Sequence, residues 1–234
     1  MTTSRTETLT ATDGGEFSGH LVCPDSGSGP GLVVIQEVFG VNDYVRDVCE
    51  RFAGLGYVVL APDMFWRLEP GLELPPTDEG LTEAIGYANR FDWTTGIADA
   101  FTSLAHLGAL DETIGHPGIA GMCFGGTVAF RAAAEGDPAV CVSYYGSGVP
   151  EALDAGNDIT CPTLVHFGRL DPFMPEGGMA AVAAWARDRS NVDVVFHDAG
   201  HAFDNHTNPA FSNPSAAAAA WDVTAGFLAT HLPT

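Results

Sequence analysis

Six residues near the middle of the chain, Gly121-Met-Cys-Phe-Gly-Gly126, constrain the fold more than any other segment. The short apolar run 118–120 precedes them, and an alanine-rich, helix-like run over 127–134 follows. This order is typical of a nucleophile elbow, a sharp turn between a strand and a helix whose central residue is usually serine and here is Cys123. Small flanking residues are needed because bulk on so tight a turn would clash with the neighbouring strand and helix. The pattern predicts a cysteine above a sheet edge at a helix N-terminus, which favours the thiolate, with the Phe124 N–H aimed at the same point.

Strand-like and helix-like segments alternate along the rest of the chain. Apolar runs predict buried strands at 31–36, 57–61, 118–121, 139–145, 163–167 and 192–197. Amphipathic or alanine-rich runs predict helices at 42–55, 77–110 (in two pieces broken near Asp92), 124–135, 175–189 and 212–231, while 62–76 is loop-like. The segment 7–23, around Gly14-Gly15, predicts a hairpin. We therefore expect one α/β domain over residues 1–234, with a mostly parallel sheet flanked by helices on both faces.

Composition disfavours several classes of function. No apolar run is long enough to cross a membrane, and the N-terminal residues lack the pattern of a signal peptide, so we expect a cytoplasmic protein. Five widely spaced cysteines without a CxxC pair argue against a disulfide framework or a zinc site. The formal net charge of −21, with nine arginines and no lysine, disfavours binding to nucleic acid or anionic membranes. Such a surface favours solubility and is consistent with a salt-adapted source.

Two later strand ends supply the base and the orienting acid that a thiol nucleophile needs. Asp171 follows the strand 163–167, and His201 follows the strand 192–197. The order Cys123, Asp171, His201 is the nucleophile–acid–histidine order of the α/β-hydrolase fold. We expect Gly200, directly before the histidine, to let that loop turn sharply.

Other histidines compete for the role of base. His206 is the best alternative because it lies only five residues after His201. His166 and His197 lie inside strand patterns, so we expect both to be packed within the fold.

Glu37 ends the first long buried strand, where a carboxylate is costly unless it is paired. One interpretation is a structural salt bridge, with Arg67 or Arg169 as the partner. The other is a second carboxylate at the active site, since this strand end should neighbour the elbow strand. The Val38 N–H would then be the second oxyanion donor, beside that of Phe124.

Six motifs carry a resemblance that covers nearly the whole chain. They are Gln36-Glu-Val-Phe-Gly40, Ala61-Pro-Asp63 followed by Phe65-Trp-Arg67, Gly121-Met-Cys-Phe-Gly-Gly126, Tyr144-Tyr-Gly146, Asp171-Pro172 and Gly200-His-Ala-Phe203. In order and spacing this set resembles the dienelactone hydrolase family.

The resemblance implies a Cys-Asp-His triad on an α/β-hydrolase fold, without a metal or organic cofactor. Cys123 would be the nucleophile, His201 the base and Asp171 its partner. The equivalent of Glu37 takes part, in that family, in switching the cysteine to thiolate when substrate binds. Tyr145 would line the pocket, and Val38 and Phe124 would supply the oxyanion N–H groups.

The chain departs from the family at the substrate carboxylate. Family members that cleave dienelactone hold this carboxylate with two arginines, one after the proline-rich loop and one shortly after the catalytic histidine. Here residues 77–89 contain no arginine. The residues shortly after His201 contain none either: Asn205 lies there beside Asp204, whose carboxylate would repel an anion. Asparagine cannot replace an arginine's charge. Arg67 and Arg90 are the candidates for a compensating charge.

These features predict a hydrolase that cleaves a small ester or lactone, less anionic than dienelactone, through a cysteine acyl-enzyme. We expect a monomer or a small homo-oligomer whose partner is its small-molecule substrate. One alternative is a redox-responsive or non-catalytic binding protein, in which Cys123 is oxidised rather than acylated. Cleavage of carbon–halogen or peptide bonds is another, although haloalkane chemistry on this fold uses a carboxylate nucleophile.

Overall fold

An eight-stranded sheet forms the centre of the computed structural model, which describes residues 1–234. In chain order the strands are β1 (Thr3–Thr10), β2 (Glu16–Cys23), β3 (Gly29–Ile35), β4 (Val58–Pro62), β5 (Thr113–Met122), β6 (Cys141–Tyr144), β7 (Thr163–Gly168) and β8 (Val192–His197). Their spatial order is β1-β2-β4-β3-β5-β6-β7-β8. The hairpin β1–β2 joins β4 antiparallel, and the strands from β4 to β8 run parallel. The carboxyl ends of the parallel strands therefore meet at one edge, where sites in such sheets collect.

Six helices cover the two faces of the sheet. They are α1 (Asp43–Gly54), α2 (Asp78–Ala88), α3 (Trp93–Gly108), α4 (Phe124–Glu135), α5 (Gly178–Ala186) and α6 (Pro214–His231). One apolar core lies between the sheet and α2 to α5, and the other lies between the sheet and α1 with α6. Side-chain caps begin several helices: Asn42 accepts from the Val45 N–H at 3.2 Å, and Asp92 from the Thr95 N–H at 3.0 Å. No helix combines the length and the hydropathy needed to cross a bilayer.

The predicted α/β fold, with a mostly parallel sheet covered on both faces, is confirmed. Helix α4 and strand β8 have the predicted bounds, and the long helical stretch is broken at Asp92, which caps α3. Strand β5 begins five residues earlier than predicted because Thr113 and Ile114 already pair with β3 before a register shift. Helix α5 begins three residues later than predicted, directly after Gly177 with its left-handed backbone, and it also ends three residues earlier.

Candidate active site

The turn at Cys123 joins β5 to α4 at the carboxyl edge of the sheet. Cys123 has φ of 56° and ψ of −116°, a conformation that L-residues rarely adopt. The glycines around it are a steric requirement: a Cβ at Gly121 would collide with the Gly125 carbonyl, and one at Gly125 with the Ile35 carbonyl. The elbow predicted from the sequence thus corresponds to a strained strand-to-helix turn that exposes the thiol.

Cys123, His201 and Asp171 form one hydrogen-bonded chain. The Cys123 Sγ lies 3.0 Å from the His201 Nε2, and the His201 Nδ1 lies 2.7 Å from the Asp171 Oδ2. The other carboxylate oxygen of Asp171 accepts from the Phe173 N–H at 2.8 Å, which orients the carboxylate. The three side chains come from the ends of β5, β7 and β8, so the parallel sheet brings together residues far apart in sequence.

The charge around His201 favours its protonated form. Burial lowers the pKa of this imidazole, but the negative charge at Cys123 and the hydrogen bond to Asp171 outweigh burial and raise the pKa to about 10. An imidazolium at this position stabilises a thiolate at Cys123.

The loop that carries His201 turns at a different residue from the one expected. The sequence predicted a sharp turn at Gly200, yet its φ is not positive and a Cβ there would meet only one atom, at 4.0 Å. Ala202 instead has φ of 49°, and Tyr145, at the end of β6, has φ of 40°. Together with Cys123, these are the three residues other than glycine with positive φ, and all lie at this edge of the sheet.

Two backbone amides near the thiol are without partners in the protein. The Val38 N–H, just beyond β3, donates to no other group. Phe124 is the first residue of α4, so no carbonyl lies one turn before its N–H. Both residues line the same cavity as Cys123. This arrangement can receive negative charge on a bound oxygen.

Glu37 is buried at the same cavity, with only 1% of its surface exposed. Its Oε2 accepts from the Asn205 amide at 2.7 Å, while its Oε1 is buried without a partner. Burial raises the pKa of this carboxyl to about 7, although the Asn205 hydrogen bond opposes the shift. The salt bridge considered from the sequence is absent, because Arg67 and Arg169 pair with other carboxylates.

The cavity above Cys123 has a volume of about 260 Å³ and is mostly apolar. Helix α2 contributes one wall, and aromatic side chains from other elements contribute most of the rest. The apolar lining includes Val38, Phe39, Leu81, Ile85, Ala88, Trp93, Phe124, Phe173 and Phe211. No arginine lines the cavity, and its polar lining consists of Glu37, Thr127, Ser147, His201, Asn205 and Asn208 beside the thiol.

The structure corrects two predictions about the pocket. Arg67 was expected to support substrate binding, but it pairs with Asp99 at 2.9 Å and with Asp13, outside the cavity. Tyr145 was expected to line the pocket, but it is fully buried behind His201, with their ring centroids 5.2 Å apart. Arg90, the other candidate for a compensating charge, stacks on Tyr87 and is also absent from the cavity lining.

The competing residues also have other environments. His206 is exposed, with its Nδ1 3.9 Å from Asp47, and does not reach Cys123. His166 and His197 bond to each other at 3.0 Å inside the fold. Asp204 does not face the cavity but pairs with Arg51, a contact between α1 and the loop after β8 that no local pattern predicts.

The apolar wall that α2 contributes to the cavity was not predicted from the sequence, although the spacing of its apolar residues indicates it. Leu81, Ile85 and Ala88 follow the spacing i, i+4, i+7 that places residues on one helix face. Ile85 retains 40% exposure, so this face is not buried by packing alone. A half-exposed apolar face beside a nucleophile elbow indicates a substrate-facing wall.

Comparison with known proteins gives matches along most of the chain. The model of the dienelactone hydrolase family matches residues 17–232. A carboxymethylenebutenolidase of a Pseudomonas species is 33% identical over 205 residues, covering 87% of this chain and 86% of the relative. A carboxymethylenebutenolidase of Pseudomonas putida is 30% identical over 209 residues, covering 88% and 89%. Among solved structures, a dienelactone hydrolase-like promiscuous phosphotriesterase from metagenomic libraries has a TM-score of 0.79 at 26% identity, covering 97% of this chain and 98% of that one.

Proposed function

This chain belongs to the dienelactone hydrolase family, and from that premise we propose that it hydrolyses small neutral esters or lactones through a cysteine acyl-enzyme. The observation that carries the proposal is the hydrogen-bonded chain from Cys123 to His201 to Asp171 beneath a small apolar cavity. A thiol, a base and an orienting carboxylate in this geometry are the parts that nucleophilic acyl transfer needs.

The first half of the reaction forms a thioester. The thiol proton moves from Sγ to the His201 Nε2, and the thiolate attacks the substrate carbonyl carbon. Negative charge then develops on the carbonyl oxygen, where the N–H groups of Val38 and Phe124 can donate to it. As this intermediate collapses, the imidazolium gives its proton to the departing alkoxide, which stays tethered to the acyl group if the substrate is a lactone.

The second half of the reaction releases the acid. His201, again neutral, takes a proton from water, and the resulting hydroxide attacks the thioester carbonyl. The thiolate leaves, the carboxylic acid forms, and the imidazolium–thiolate pair is restored. Asp171 keeps the same imidazole orientation in both halves because its second oxygen is fixed by the Phe173 N–H.

The lining of the cavity supports a neutral substrate. The lining has no arginine, and its one cation, the His201 imidazolium, is already paired with the Cys123 thiolate and Asp171, so a carboxylate buried beside Glu37 would have no cation of its own. The α2 wall offers Leu81 and Ile85 to an apolar acyl or alcohol group instead. The volume of about 260 Å³ lies just below the usual range for drug-sized ligands, which favours a compact substrate.

A matched pair of esters tests both the chemistry and the substrate class. We expect kcat/KM for 4-nitrophenyl methyl succinate to exceed that for 4-nitrophenyl hydrogen succinate by about tenfold or more, because the two share one acyl chain and the methyl group of the first removes the charge that the second would bury. Complete alkylation of Cys123 by iodoacetamide, and the variant Cys123→Ala, should abolish both activities. Full activity after alkylation would contradict the cysteine mechanism, whereas preference for the anionic ester would contradict the neutral substrate. An absence of turnover on all esters, together with reversible sulfenic acid at Cys123, would favour the redox alternative.

A further inference from the structure

Asn208 is an amide of the cavity lining whose nitrogen has no partner in the protein. It lies in the loop between β8 and α6, and only 7% of its surface is exposed. The Nδ2 of Asn205, the other amide in the lining, donates to Glu37, but the Nδ2 of Asn208 donates to no group of the chain. A nearly buried amide nitrogen without a partner is costly. The structure therefore holds a donor here whose acceptor must come from outside the chain.

One hydrogen bond fixes which end of this amide is free. The Asn208 Oδ1 accepts from the Ala210 N–H at 3.2 Å. An N–H group can bond only to the oxygen end of an amide, so the nitrogen occupies the other branch. Nδ2 is not sealed inside the protein, unlike the Glu37 Oε1, and the space that Asn208 borders is the cavity above Cys123. The oxygen is thus committed to its own loop, and the side chain offers its N–H donors to the cavity.

The backbone around Asn208 holds this donor in place. The Asn208 N–H donates to the Asn205 carbonyl at 3.3 Å. The Asn208 carbonyl accepts from the N–H groups of Phe211 at 3.1 Å and Ser212 at 3.0 Å. Phe211 also lines the cavity, so this loop supplies both a polar donor and an apolar surface. A donor that is already ordered loses little conformational freedom when an acceptor binds to it.

The two hydroxyl groups of the lining are less selective than this amide. The Thr127 Oγ1 accepts from the Gly148 N–H at 3.1 Å, but its proton can rotate to different acceptors. Ser147 is half-buried, and its hydroxyl can donate or accept. Only the free end of Asn208 is restricted to donating. Asn208 therefore distinguishes substrates by whether they carry an acceptor.

The acceptor that suits Asn208 is a neutral oxygen. A single amide donor does not offset a full negative charge, and the His201 imidazolium is already shared by the thiolate and Asp171. The scissile carbonyl oxygen is excluded because the proposed mechanism places it at the N–H groups of Val38 and Phe124. A second carbonyl or ether oxygen of the substrate remains. Before substrate binds, water can accept this hydrogen bond, and the substrate oxygen then takes its place.

We propose that Asn208 determines substrate specificity: its Nδ2 donates to a second, neutral oxygen of the substrate, a carbonyl or ether oxygen separate from the ester that is cleaved. This inference rests on the proposed function and narrows it to small neutral esters or lactones that carry a second acceptor. A purely hydrocarbon group displaces water from Nδ2 without replacing its hydrogen bond, which lowers kcat/KM.

Two esters of equal chain length test the proposal. 4-Nitrophenyl methyl succinate carries a second carbonyl and an ester oxygen where 4-nitrophenyl hexanoate has only methylene groups. Asn208→Asp keeps an acceptor for the Ala210 N–H but has no donor, and Asn208→Leu removes the donor without adding a charge. We expect the ratio of kcat/KM for the succinate to that for the hexanoate to fall by about tenfold in both variants. Comparing ratios between enzymes cancels the different intrinsic reactivities of the two esters.

Asn213→Asp is the matched control. Asn213 lies at the end of the same loop, its Oδ1 accepts from the Ala216 N–H at 3.1 Å, and it is absent from the cavity lining. The substitution also removes an amide donor and adds a negative charge, so we expect it to keep the wild-type ratio. The proposal is overturned if either Asn208 variant keeps that ratio, or if Asn213→Asp lowers the ratio as much as they do.

A binding measurement separates this inference from the proposed function. 2,5-Hexanedione and 2-hexanone have the same carbon chain, but only the dione has a second carbonyl, at the spacing found in succinate. Their protection of Cys123 against iodoacetamide gives a Kd for each ketone without turnover. We expect both Asn208 variants to raise the Kd of the dione, relative to that of 2-hexanone, by about tenfold. Equal changes in the two Kd values would overturn the proposal even if both esters are cleaved. Selective loss of dione binding without any ester cleavage would support the Asn208 site and contradict only the proposed hydrolysis.

Discussion

Asn205 is the residue that most separates this pocket from one suited to an anion. Its amide nitrogen donates to Glu37, while its Oδ1 accepts from the Thr207 N–H at 3.0 Å, so the side chain is held at both ends. A neutral donor of this kind satisfies one oxygen of Glu37 but supplies no positive charge to a substrate. The side chain therefore orders the pocket without attracting a carboxylate.

Asn205→Arg should shift the substrate preference toward anions. We expect kcat/KM for 4-nitrophenyl hydrogen succinate to rise by about tenfold, because a guanidinium at the cavity wall can pair with the substrate carboxylate. His206→Arg is the control, since it adds the same charge one residue later on an exposed side chain outside the cavity. Equal gains in the two variants would instead indicate long-range attraction between the added charge and the anionic ester.

At the scale of elements, the pairing of β7 with β8 supports the loops that carry Asp171 and His201. The side chains of His166 on β7 and His197 on β8 bond to each other, and the His166 Nε2 lies 3.0 Å from the Thr224 hydroxyl of α6. Burial lowers the pKa of His166 to about 3. The strand pair and α6 are thus held together by a neutral imidazole, which acid would have to protonate.

Acid should weaken this part of the fold through His166. Its pKa is lower in the folded than in the unfolded state, so its contribution to stability is present above about pH 6.5 and is lost as the pH falls below it. We expect His166 to account for about 2 kcal/mol of lost unfolding free energy between about pH 7.5 and pH 5. Urea unfolding at both pH values measures this loss in the wild type, His166→Gln and His231→Gln. The loss of unfolding free energy should shrink in His166→Gln and stay unchanged in His231→Gln, since His231 is exposed. An unchanged loss in His166→Gln would assign the acid sensitivity to other groups.

Local pattern predicts the elements of this fold better than the contacts between them. The apolar run 192–197 and the alanine-rich run after the elbow gave correct bounds because the period and the end signals are both local. The pairing of Arg51 with Asp204 joins residues 153 positions apart, and that of Arg67 with Asp99 depends on where α3 packs. The positive φ at Ala202 was missed because alanine gives no sign of it. The chain thus indicates which residues end the strands, while packing decides which of them meet.

At the scale of the whole molecule, charge of one sign dominates. There are 30 acidic residues against nine arginines. Five of these arginines, at positions 5, 46, 51, 67 and 169, already pair with carboxylates. The carboxylates therefore outnumber the cations that could pair with them, and their mutual repulsion destabilises the compact state.

Added salt should stabilise the protein by screening this repulsion. Raising NaCl from about 0.05 M to about 1 M shortens the Debye length to about 3 Å, so we expect a gain of about 1 kcal/mol, or about 2–4 °C in Tm, at pH 8. Differential scanning calorimetry measures it. At pH 5 the gain should be smaller, because protonation removes part of the negative charge. An equal gain at both pH values would point to a general salting-out effect instead.

Three positive φ angles at the carboxyl edge of the sheet, at Cys123, Tyr145 and Ala202, have an evolutionary consequence. Each holds a non-glycine residue in a conformation that is disfavoured by about 1–3 kcal/mol. Selection for robustness and selection for turnover therefore act in opposite directions at these positions. In a descendant that no longer needed its thiol, we expect substitutions at these three positions to remove the disfavoured conformations first. The inactive protein would then be more stable than its active ancestor.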